Sequence, residues 1–321
     1  MTEHYVTLFD HTFLTQGLVL HRSMQRHCGD FKLWVIAMDT LAEEALTALS
    51  LDRVQVISVA SLETTELRLA KLERSAGEYC WTMTPFAPSA VFARAPFVER
   101  VTYLDADLWF RRNPRAIFDE LFVSRKAVLL TEHAYAPEND VSAAVGRFCV
   151  QFMPFLREGS IRILELWQSQ CLDWCSNSVD SGRFGDQKYL DDWPDTFPDD
   201  VHILSRPELI QGPWNATRFP YSDAVAYHFH GLRWRDKTHL DFGSHFLPFP
   251  HLQNVYGHYV SDLEWARDVI DANLGADFRG CFQQLTSSRF HTGLRNLRVR
   301  GKERFPRFAW KFYRFWHKGP P

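Results

Sequence analysis

The stretch Arg100-Val-Thr-Tyr-Leu-Asp-Ala-Asp-Leu-Trp-Phe110 joins a short run of strand-forming residues to two closely spaced carboxylates. Val101–Leu104 has strand character, and Asp105 and Asp107 follow it. Side chains at positions i and i+2 of a strand share a face, so both carboxylates are predicted to point at one spot. Two such carboxylates repel each other unless a cation sits between them, and their oxygens suit Mg²⁺ or Mn²⁺. The stretch therefore predicts a divalent-metal site at a strand end. The alternative is a strand followed by an ordinary polar turn, which would have the same sequence pattern.

On the N-terminal side of this stretch, apolar runs of strand length alternate with helical patterns. Strands are predicted at Tyr5–Phe9, Lys32–Met38 and Val54–Val59, and helices at Leu14–Arg26, from Asp39 or Thr40 to Leu49, and from Ser61 onwards, with Pro85 and Pro88 as interruptions before Ser89–Ala95. Such alternation predicts an α/β fold with a mostly parallel, Rossmann-like central sheet and right-handed crossovers. Since no Gly-x-Gly-x-x-Gly follows the first strand, a dinucleotide-binding domain of that type is disfavoured.

Beyond the stretch the pattern is less regular. Strands are predicted at Ala127–Thr131 and Phe148–Phe155, and a helix at Ile161–Trp174. A second group of metal-binding side chains, His228-Phe-His-Gly231, again follows an apolar run. An imidazole beside two carboxylates shifts the metal preference from Mg²⁺ towards Mn²⁺. Asp105, Asp107 and one histidine are therefore predicted to form a three-ligand site able to hold the diphosphate of a nucleotide, unless the histidine is simply packed in the core.

Composition and length bound the class of protein. The chain has 321 residues, 45% apolar and 23% charged, which fits one large α/β domain, predicted over residues 1–288. No apolar run is long enough to span a bilayer, and the N-terminus lacks the pattern of a secretory signal. Six scattered cysteines predict reduced, mostly buried thiols in a cytosolic protein. Cys171 and Cys175 have no second Cys/His pair nearby that would complete a zinc site.

Five motifs occur in an order typical of a known family. They are Leu8-Phe9-Asp10, Tyr103-Leu-Asp-Ala-Asp107, Gly185-Asp-Gln-Lys-Tyr-Leu190, Pro213-Trp-Asn215 and His228-Phe-His-Gly231. Over residues 5–235 the chain resembles nucleotide-sugar glycosyltransferases of the GT-A fold, and in particular the retaining family 8 type. The resemblance implies a hexosyltransferase-like enzyme of polysaccharide biosynthesis, with Mn²⁺ or Mg²⁺ as cofactor. It would move a sugar from a nucleotide-diphosphate donor, with UDP-sugar favoured, to a glycan or lipid-linked acceptor, with retention of configuration.

The resemblance also implies roles for the matching residues. Asp105, Asp107 and His228 would bind the metal that bridges the donor diphosphate, with His230 as a neighbour. The implied catalytic residues, which would face the donor sugar, are Asp186 and Gln187. The implied donor-binding residues are Leu8, Phe9 and Asp10 at the nucleobase, Arg94 at phosphate or sugar oxygens, and Gly231 and Arg233 beside the phosphates. For Arg94, a surface ion pair is the alternative interpretation.

Two positions depart from the family pattern. Where the family often has an asparagine that contacts the sugar, this chain has Phe148-Cys-Val-Gln-Phe152, so the sugar is not identified. Where the family often has a phosphate-binding lysine, this chain has Trp234. Arg233 or Arg235 would supply the missing charge, since an arginine fork is a capable phosphate ligand.

The C-terminal segment, residues 289–321, is predicted to be a separate basic tail. Between Arg289 and Lys318 there are ten Lys and Arg against one Glu, a local charge of +9, which leaves −12 for the rest of a chain of net charge −3. Within residues 305–318, aromatic and basic side chains fall on different sides of a predicted helix, a pattern that suits an anionic membrane surface. The alternative is a helix docked on its own domain, and nucleic acid is not expected as a partner. A cytoplasmic enzyme, peripheral at the inner face of the membrane, is the corresponding expectation.

Three other functional classes share some of these sequence features. A phosphohydrolase of the Asp-x-Asp type would carry its motif on the first strand and Thr or Val at the position of Trp109, so it is disfavoured. A nucleotidyltransferase would share the metal and the nucleotide but release pyrophosphate. A non-catalytic nucleotide-sugar-binding protein would bind donor and metal without turnover, and it remains an alternative.

Overall fold

The chain alternates strands and helices through its first half, as predicted. The computed structural model describes residues 2–234, 240–275 and 278. The strands are β1 (Glu3–Phe9), β2 (Phe31–Ala37), β3 (Val54–Ser58), β4 (Arg100–Leu104), β5 (Leu108–Phe110), β6 (Val128–Glu132), β7 (Phe148–Cys149), β8 (Phe152–Leu156), β9 (Val201–Ile203), β10 (Ile210–Gln211), β11 (Ala226–His228), β12 (Arg233–Trp234) and β13 (Leu240–Asp241). The helices are α1 (Leu14–His27), α2 (Thr40–Leu49), α3 (Thr65–Glu73), α4 (Ala76–Met83), α5 (Phe86–Arg94), α6 (Arg115–Ser124), α7 (Ser142–Val145), α8 (Arg157–Asp173), α9 (Trp193–Thr196), α10 (Phe249–His251) and α11 (Gly257–Leu274).

The central sheet has the strand order β3-β2-β1-β4-β8-β6-β7. Strands β3, β2, β1 and β4 pair in parallel, β8 runs antiparallel to β4 and β6, and β9 is a parallel partner of β6. The predicted α/β fold with a mostly parallel, Rossmann-like sheet is confirmed. The chain leaves β1 towards β2 and β3 and returns on the other side of β1 at β4. The crevice between β1 and β4 is therefore the switch point at which open α/β sheets bind ligands.

Strand β1 is buried on both faces of the sheet. Tyr5 and Phe9 pack into one core with α1 and α11, whereas Val6 and Leu8 pack into the other core with α5 and α8. A strand covered on both faces requires a continuous apolar run instead of an alternating one, and this explains the sequence of β1. Helices on both sides thus fix the carboxyl end of β1 beside that of β4.

The predicted strand Phe148–Phe155 is broken in the structure. Its first part, β7, pairs with β6, and its second part, β8, pairs with β4 and β6. Between the two parts, the carbonyl of Gln151 accepts a hydrogen bond from the backbone N–H of Asp105 at 3.1 Å. The break therefore brings Gln151 next to the Asp-x-Asp segment.

The predicted proline interruptions are only partly right. Helix α5 begins at Phe86 and includes Pro88 as its third residue. A proline is tolerated there because the first N–H groups of a helix have no intrahelical acceptor. The interruption lies instead between Met83 and Phe86, where α4 ends and α5 begins.

The five cysteines within the described ranges are free thiols, and four of them are buried, in agreement with the prediction for these positions. Among the residues that the structure describes, no helix combines the length and the apolar character that a bilayer crossing requires. The predicted basic tail, residues 289–321, and Arg235 lie outside the described residues.

Candidate functional site

A turn brings the Asp105 and Asp107 carboxylates together. The Asp-x-Asp spacing predicts that they share one face of a strand, but β4 ends at Leu104, so the strand explanation is wrong. The N–H of Leu108 donates to the carbonyl of Asp105 at 3.1 Å and closes the turn. The carbonyl of Asp107 accepts from the N–H of Phe229 at 2.9 Å, which ties the turn to the end of β11.

His228, the third member of the cluster, is the last residue of β11. This strand pairs antiparallel with β5, so that His228 lies opposite Leu108. Its Nε2 lies 2.8 Å from Oδ1 of Asp107 and 3.7 Å from Oδ2 of Asp105. One ligand atom from each of these three residues lies within 4.8 Å of the others, which is close enough for a single ion to contact all three.

Burial and mutual charge control the protonation of the cluster. Burial raises the pKa of Asp105 to about 6, with Asp107 adding to the effect and His228 opposing it. Burial would also raise the pKa of Asp107, but His228 and Arg233 hold it well below its usual range. For His228, burial alone would lower the pKa, yet the two carboxylates raise it well above its usual value. A divalent cation would replace the proton of His228 and satisfy both carboxylates.

Gln151 and Trp214 orient His228 from behind. The Nδ1 of His228 lies 2.9 Å from Oε1 of Gln151, a side-chain oxygen that can only accept, so Nδ1 carries the proton and Nε2 faces the carboxylates. The Trp214 ring packs edge-on against the imidazole with centroids 5.3 Å apart. Two carboxylates and one correctly presented imidazole nitrogen fit Mn²⁺ or Mg²⁺.

A Gln151→Met variant is expected to weaken Mn²⁺ binding by about 10- to 100-fold, because the buried amide that fixes the His228 tautomer is lost while the side-chain volume is kept. Isothermal titration with Mn²⁺ measures this. The matched control is Gln168→Met, since Gln168 bonds to Pro85 and Ser89 away from the cluster. Equal Mn²⁺ affinity in Gln151→Met and the wild type would show that Gln151 does not support the ligand.

The cluster forms part of the wall of a cleft of about 650 Å³. The predicted site residues that line this cleft are Leu8, Phe9, Asp10, Asp105, Asp107, Asp186, Gln187, His228 and Arg233. Asp10 caps the turn after β1, since its Oδ1 accepts from the backbone N–H and the hydroxyl of Thr12 at 2.9 and 2.6 Å. Arg233 donates to Oδ2 of Asp107 at 3.3 Å and stacks over Phe13. Residues that are far apart in sequence thus meet at the switch point of the sheet.

Asp186 is the second acidic group of the cleft. It is buried, and its Oδ2 has no hydrogen-bond partner among the described residues. Burial, with the nearby charge of Asp105, raises the pKa of Asp186 to about 7. Its carbonyl accepts from the indole of Trp167 at 2.8 Å, and the amide of the adjacent Gln187 donates to the carbonyl of Val145 at 2.8 Å. These bonds hold the backbone of the loop, and within the part of the chain that the structure describes Oδ2 of the Asp186 carboxyl is left without a protein partner beside the cleft.

Two predicted residues do not line the cleft in the described part of the chain. Arg94, at the end of α5, is exposed, and its guanidinium donates to Oγ of Ser61 at 2.8 Å. Gly231 has a positive φ of 79° and packs against Gly243, where an added Cβ would lie 3.5 Å from the Gly243 Cα. Gly231 thus shapes the turn after His228 instead of forming the wall.

Several lining residues were not predicted, because nothing in their spacing marks them. They include Trp81 and Thr84 near the end of α4, His133 and Tyr135 after β6, and His245. The His133 and Tyr135 rings stack with centroids 4.7 Å apart, and the carbonyl of His133 accepts from the Trp214 indole at 2.8 Å. The Pro213-Trp-Asn215 motif was the available signal for this wall, since both Trp214 and Asn215 donate to that carbonyl.

Comparison with known proteins adds relatives and a fold. No family model matches the chain. The uncharacterized protein YfnF of Bacillus subtilis (strain 168) is 30% identical over 251 residues, which cover 73% of this chain and 82% of YfnF. The uncharacterized protein YfnD of the same organism is 28% identical over 247 residues, covering 72% and 78% of the two chains. Among solved structures, the galactosyltransferase LgtC in complex with donor and acceptor sugar analogs is similar with a TM-score of 0.51 and 11% identity, over 82% of this chain and 95% of that one.

Proposed function

Since the chain belongs to the same family as YfnF of Bacillus subtilis and has the GT-A fold of nucleotide-sugar glycosyltransferases, we propose that it is a metal-dependent glycosyltransferase. It transfers a hexosyl group from a nucleotide-diphosphate donor, in the first instance a UDP-sugar, to a glycan or lipid-linked acceptor. The observation that carries the proposal is the cluster of Asp105, Asp107 and His228 in a 650 Å³ cleft at the switch point of the sheet.

The charges of the cleft support a diphosphate between the nucleoside and the sugar. Asp105, Asp107 and His228 hold the divalent cation, and Arg233 donates to Oδ2 of Asp107 at 3.3 Å. The cation supplies charge neutralisation for a departing diphosphate. Arg233 adds a second positive group beside the cluster. The nucleoside would then contact the wall of the cleft formed by Leu8, Phe9 and Asp10.

Asp186 and Gln187 belong to the sugar half of the proposed site. Both line the cleft, and the Asp186 carboxyl is close enough to Asp105 for the charge of one to affect the other. Asp186 accepts hydrogen bonds from sugar hydroxyls and stabilises the positive character that develops at the anomeric carbon. Retention of configuration is proposed from the resemblance of the motifs to the retaining type. Comparison of the anomeric configuration of donor and product by NMR tests it, and inversion would contradict it.

An Asp186→Asn variant is expected to be more stable than the wild type above pH 7 and at least about 10-fold less active. Because the pKa of Asp186 is raised to about 7 in the folded chain, the unfolded chain loses this proton near pH 4 while the folded chain keeps it. Stability therefore falls as pH rises from about 4 to 7, and the full penalty, on the order of 4 kcal/mol, is present above pH 7. The amide does not ionise and avoids this penalty.

Urea unfolding in EDTA at pH 5 and pH 8, combined with donor turnover, measures both effects. Asp195→Asn, on the exposed side of α9, is the control and should change neither quantity. An Asp186→Asn protein that is less stable than the wild type at pH 8 would contradict this prediction. It would show that the Asp186 carboxylate stabilises the folded chain.

The central proposal is tested by a donor panel. UDP-, GDP-, CDP- and dTDP-sugars are incubated with Mn²⁺, Mg²⁺ or EDTA, and the release of nucleoside diphosphate is measured. Release from one donor that requires a metal establishes a glycosyltransferase and identifies its donor. Pyrophosphate as the product would instead establish a nucleotidyltransferase. Metal-dependent donor binding without release, even with acceptor glycans present, would identify a non-catalytic binding protein.

The proposed function extends to the membrane surface through residues 305–318. This segment concentrates aromatic and basic residues in a chain that is otherwise acidic. A chain that ends at Ser288 is expected to lose binding to vesicles of anionic lipid and to keep donor hydrolysis. Equal vesicle binding by the full and shortened chains would remove the membrane proposal without affecting the transferase.

A further inference from the structure

We propose that a lobe of the cleft beside α4 binds a neutral pyranose ring against the Trp81 indole and thereby selects the saccharide. This α4 lobe is lined by Ala76, Gly77, Trp81, Asn177, Phe184 and Gly185. The inference rests on the proposed function and adds to it the class of group that this wall recognises. The ring belongs either to the donor sugar or to the acceptor, and the experiment below distinguishes the two sources.

The two sides of the lobe are held together by Glu78. Its carboxylate accepts from the Ser75 N–H at the start of α4 at 3.0 Å. The same side chain accepts from the Ser176 hydroxyl and from the N–H of Asn177, both at 2.8 Å. The N–H of Gly185 in turn donates to the carbonyl of Ser176 at 3.0 Å. A wall fixed by this many bonds keeps its shape without a ligand, which lowers the ordering cost of binding.

The lobe presents aromatic surface to the cleft. Trp81 and Phe184 are each half-buried, and their ring centroids lie 6.2 Å apart at an angle of 46°. Gly185 lies next to the indole, since a Cβ at this position would lie 3.5 Å from the Trp81 ring. Gly185 also has a positive φ of 52°, so a side chain there would be strained. An indole that borders a cleft offers an apolar face and one N–H donor, which matches the C–H face and hydroxyls of a pyranose.

Charge separates this lobe from the rest of the cleft. None of the six lining residues named above is ionisable, whereas the metal cluster and Arg233 lie elsewhere in the same cleft. A phosphate would lack a cationic partner in the lobe, and a charged sugar would lack a counter-ion. The chemistry therefore favours a neutral hexose over a nucleotide phosphate or a uronic acid.

Gly77 leaves space for the ring. It is the second residue of α4 and borders the cleft, and nothing lies within 4 Å of the position that its Cβ would occupy. Glycine is disfavoured inside a helix relative to alanine. Packing against neighbouring atoms does not explain this glycine. We infer that its lack of a side chain keeps the volume beside Trp81 open for a ligand. Residues i and i+4 of a helix lie on one face, so a larger side chain at Gly77 would enter the lobe next to Trp81.

The experiment compares Trp81→Ala, Trp81→Phe and Gly77→Leu with the wild type. Phe122→Ala, on the exposed face of α6, is the control variant. The measured quantities are the KM of the donor in hydrolysis without acceptor, the KM of an acceptor saccharide in transfer, and the Kd of UDP with Mn²⁺. We expect Trp81→Ala to raise one saccharide-dependent KM by 10-fold or more relative to the wild type. Trp81→Phe should raise the same KM less, and Gly77→Leu should raise it as well. The Kd of UDP should stay within twofold in all variants.

The KM that changes identifies the source of the ring. A higher donor KM in hydrolysis assigns the lobe to the donor sugar, and a higher KM for the acceptor alone assigns it to the acceptor. Both values within twofold of the wild type in Trp81→Ala and Gly77→Leu would overturn the inference. A loss of UDP affinity as large as the loss in KM would overturn it too, since the lobe would then hold the nucleotide.

Failure of the proposed function would be visible separately. If the wild type releases nucleoside diphosphate from no donor, saturation-transfer NMR with UDP-glucose, UDP-galactose and methyl glycosides still tests the lobe. Saturation of the sugar C–H protons that disappears in Trp81→Ala but persists in Phe122→Ala supports a saccharide site without catalysis. Equal saturation in both variants, or none in the wild type, overturns the inference.

Discussion

Asp107→Asn is expected to reduce metal-dependent release of nucleoside diphosphate by a factor of about 10² to 10⁴, the loss that follows when several kcal/mol of leaving-group stabilisation disappear. Asp107 is buried and contacts both His228 and Arg233, so its charge holds three parts of the site together. The amide keeps the shape of the side chain but loses the negative charge that a divalent cation requires. Initial rates across a Mn²⁺ series measure the change.

Thermal unfolding separates loss of the metal from loss of the fold. Mn²⁺ should raise the melting temperature of the wild type, because a ligand that binds only the folded chain stabilises it, and should leave Asp107→Asn unchanged. The control is Asp119→Asn, which removes an exposed carboxylate from α6 and should behave as the wild type. A variant that keeps both the Mn²⁺ shift and normal turnover would refute the assignment of Asp107 as a metal ligand.

The first half of the fold is predictable because its signals are local. Strands that are buried on both faces need continuous apolar runs, and Tyr5–Phe9 and Lys32–Met38 have them, so β1 and β2 are predicted to within a few residues. Asp39 is visible as a helix cap because a cap acts within three residues, and its side chain does accept from the N–H of Ala42 at 2.7 Å.

Parts of the site escape prediction because they depend on pairing between distant segments. The Asp-x-Asp spacing indicated the right residues for a wrong reason, since a turn held by the Gln151 carbonyl and the Phe229 N–H brings the carboxylates together. The direction of Arg94 depends on which face of α5 meets the sheet, and a motif ahead of a strand does not specify that face. No nearby sequence signal indicates that Trp81 lines the cleft, because Gly185, which lies next to its ring, is about a hundred residues away in the chain.

Helix α11 is far from the Asp-x-Asp segment in sequence but packs next to it in the structure. One buried carboxylate on α11, that of Asp262, joins the helix to α1 and β5. Asp262 is 5% exposed, and Arg26 binds it with two bonds of 2.6 and 2.8 Å. The indole of Trp109 donates to the same carboxylate at 3.0 Å, and Arg22 lies 3.5 Å away. Trp109 belongs to β5, two residues after Asp107, so the carboxylate connects α1 and α11 to the strand that follows the Asp105–Asp107 turn.

Asp262→Asn is expected to destabilise the protein by about 2–3 kcal/mol, which lowers the melting temperature by about 5–10 °C in a domain of this size. The expected loss is smaller than that for a fully buried ion pair, because the Arg26 side chain is 39% exposed and water screens its charge. Asp268→Asn, an exposed position on the same helix, is the control and should change stability by less than about 0.5 kcal/mol. Calorimetric unfolding of the three proteins in EDTA compares them.

The same substitution should also weaken the response to Mn²⁺, because α11 packs on β5, which follows the Asp105–Asp107 turn, and on Phe229, which follows His228. The Tyr259 ring of α11 stacks on Phe229 with centroids 3.5 Å apart, and Phe229 directly follows His228. With Trp109 on β5 and Phe229 after β11 both packed on α11, loosening this helix lets the two strand ends move apart. Asp262→Asn should therefore need more Mn²⁺ for half-maximal stabilisation, by a factor of several. A variant that melts early but binds Mn²⁺ as tightly as the wild type would show that α11 stabilises the domain without positioning the metal site.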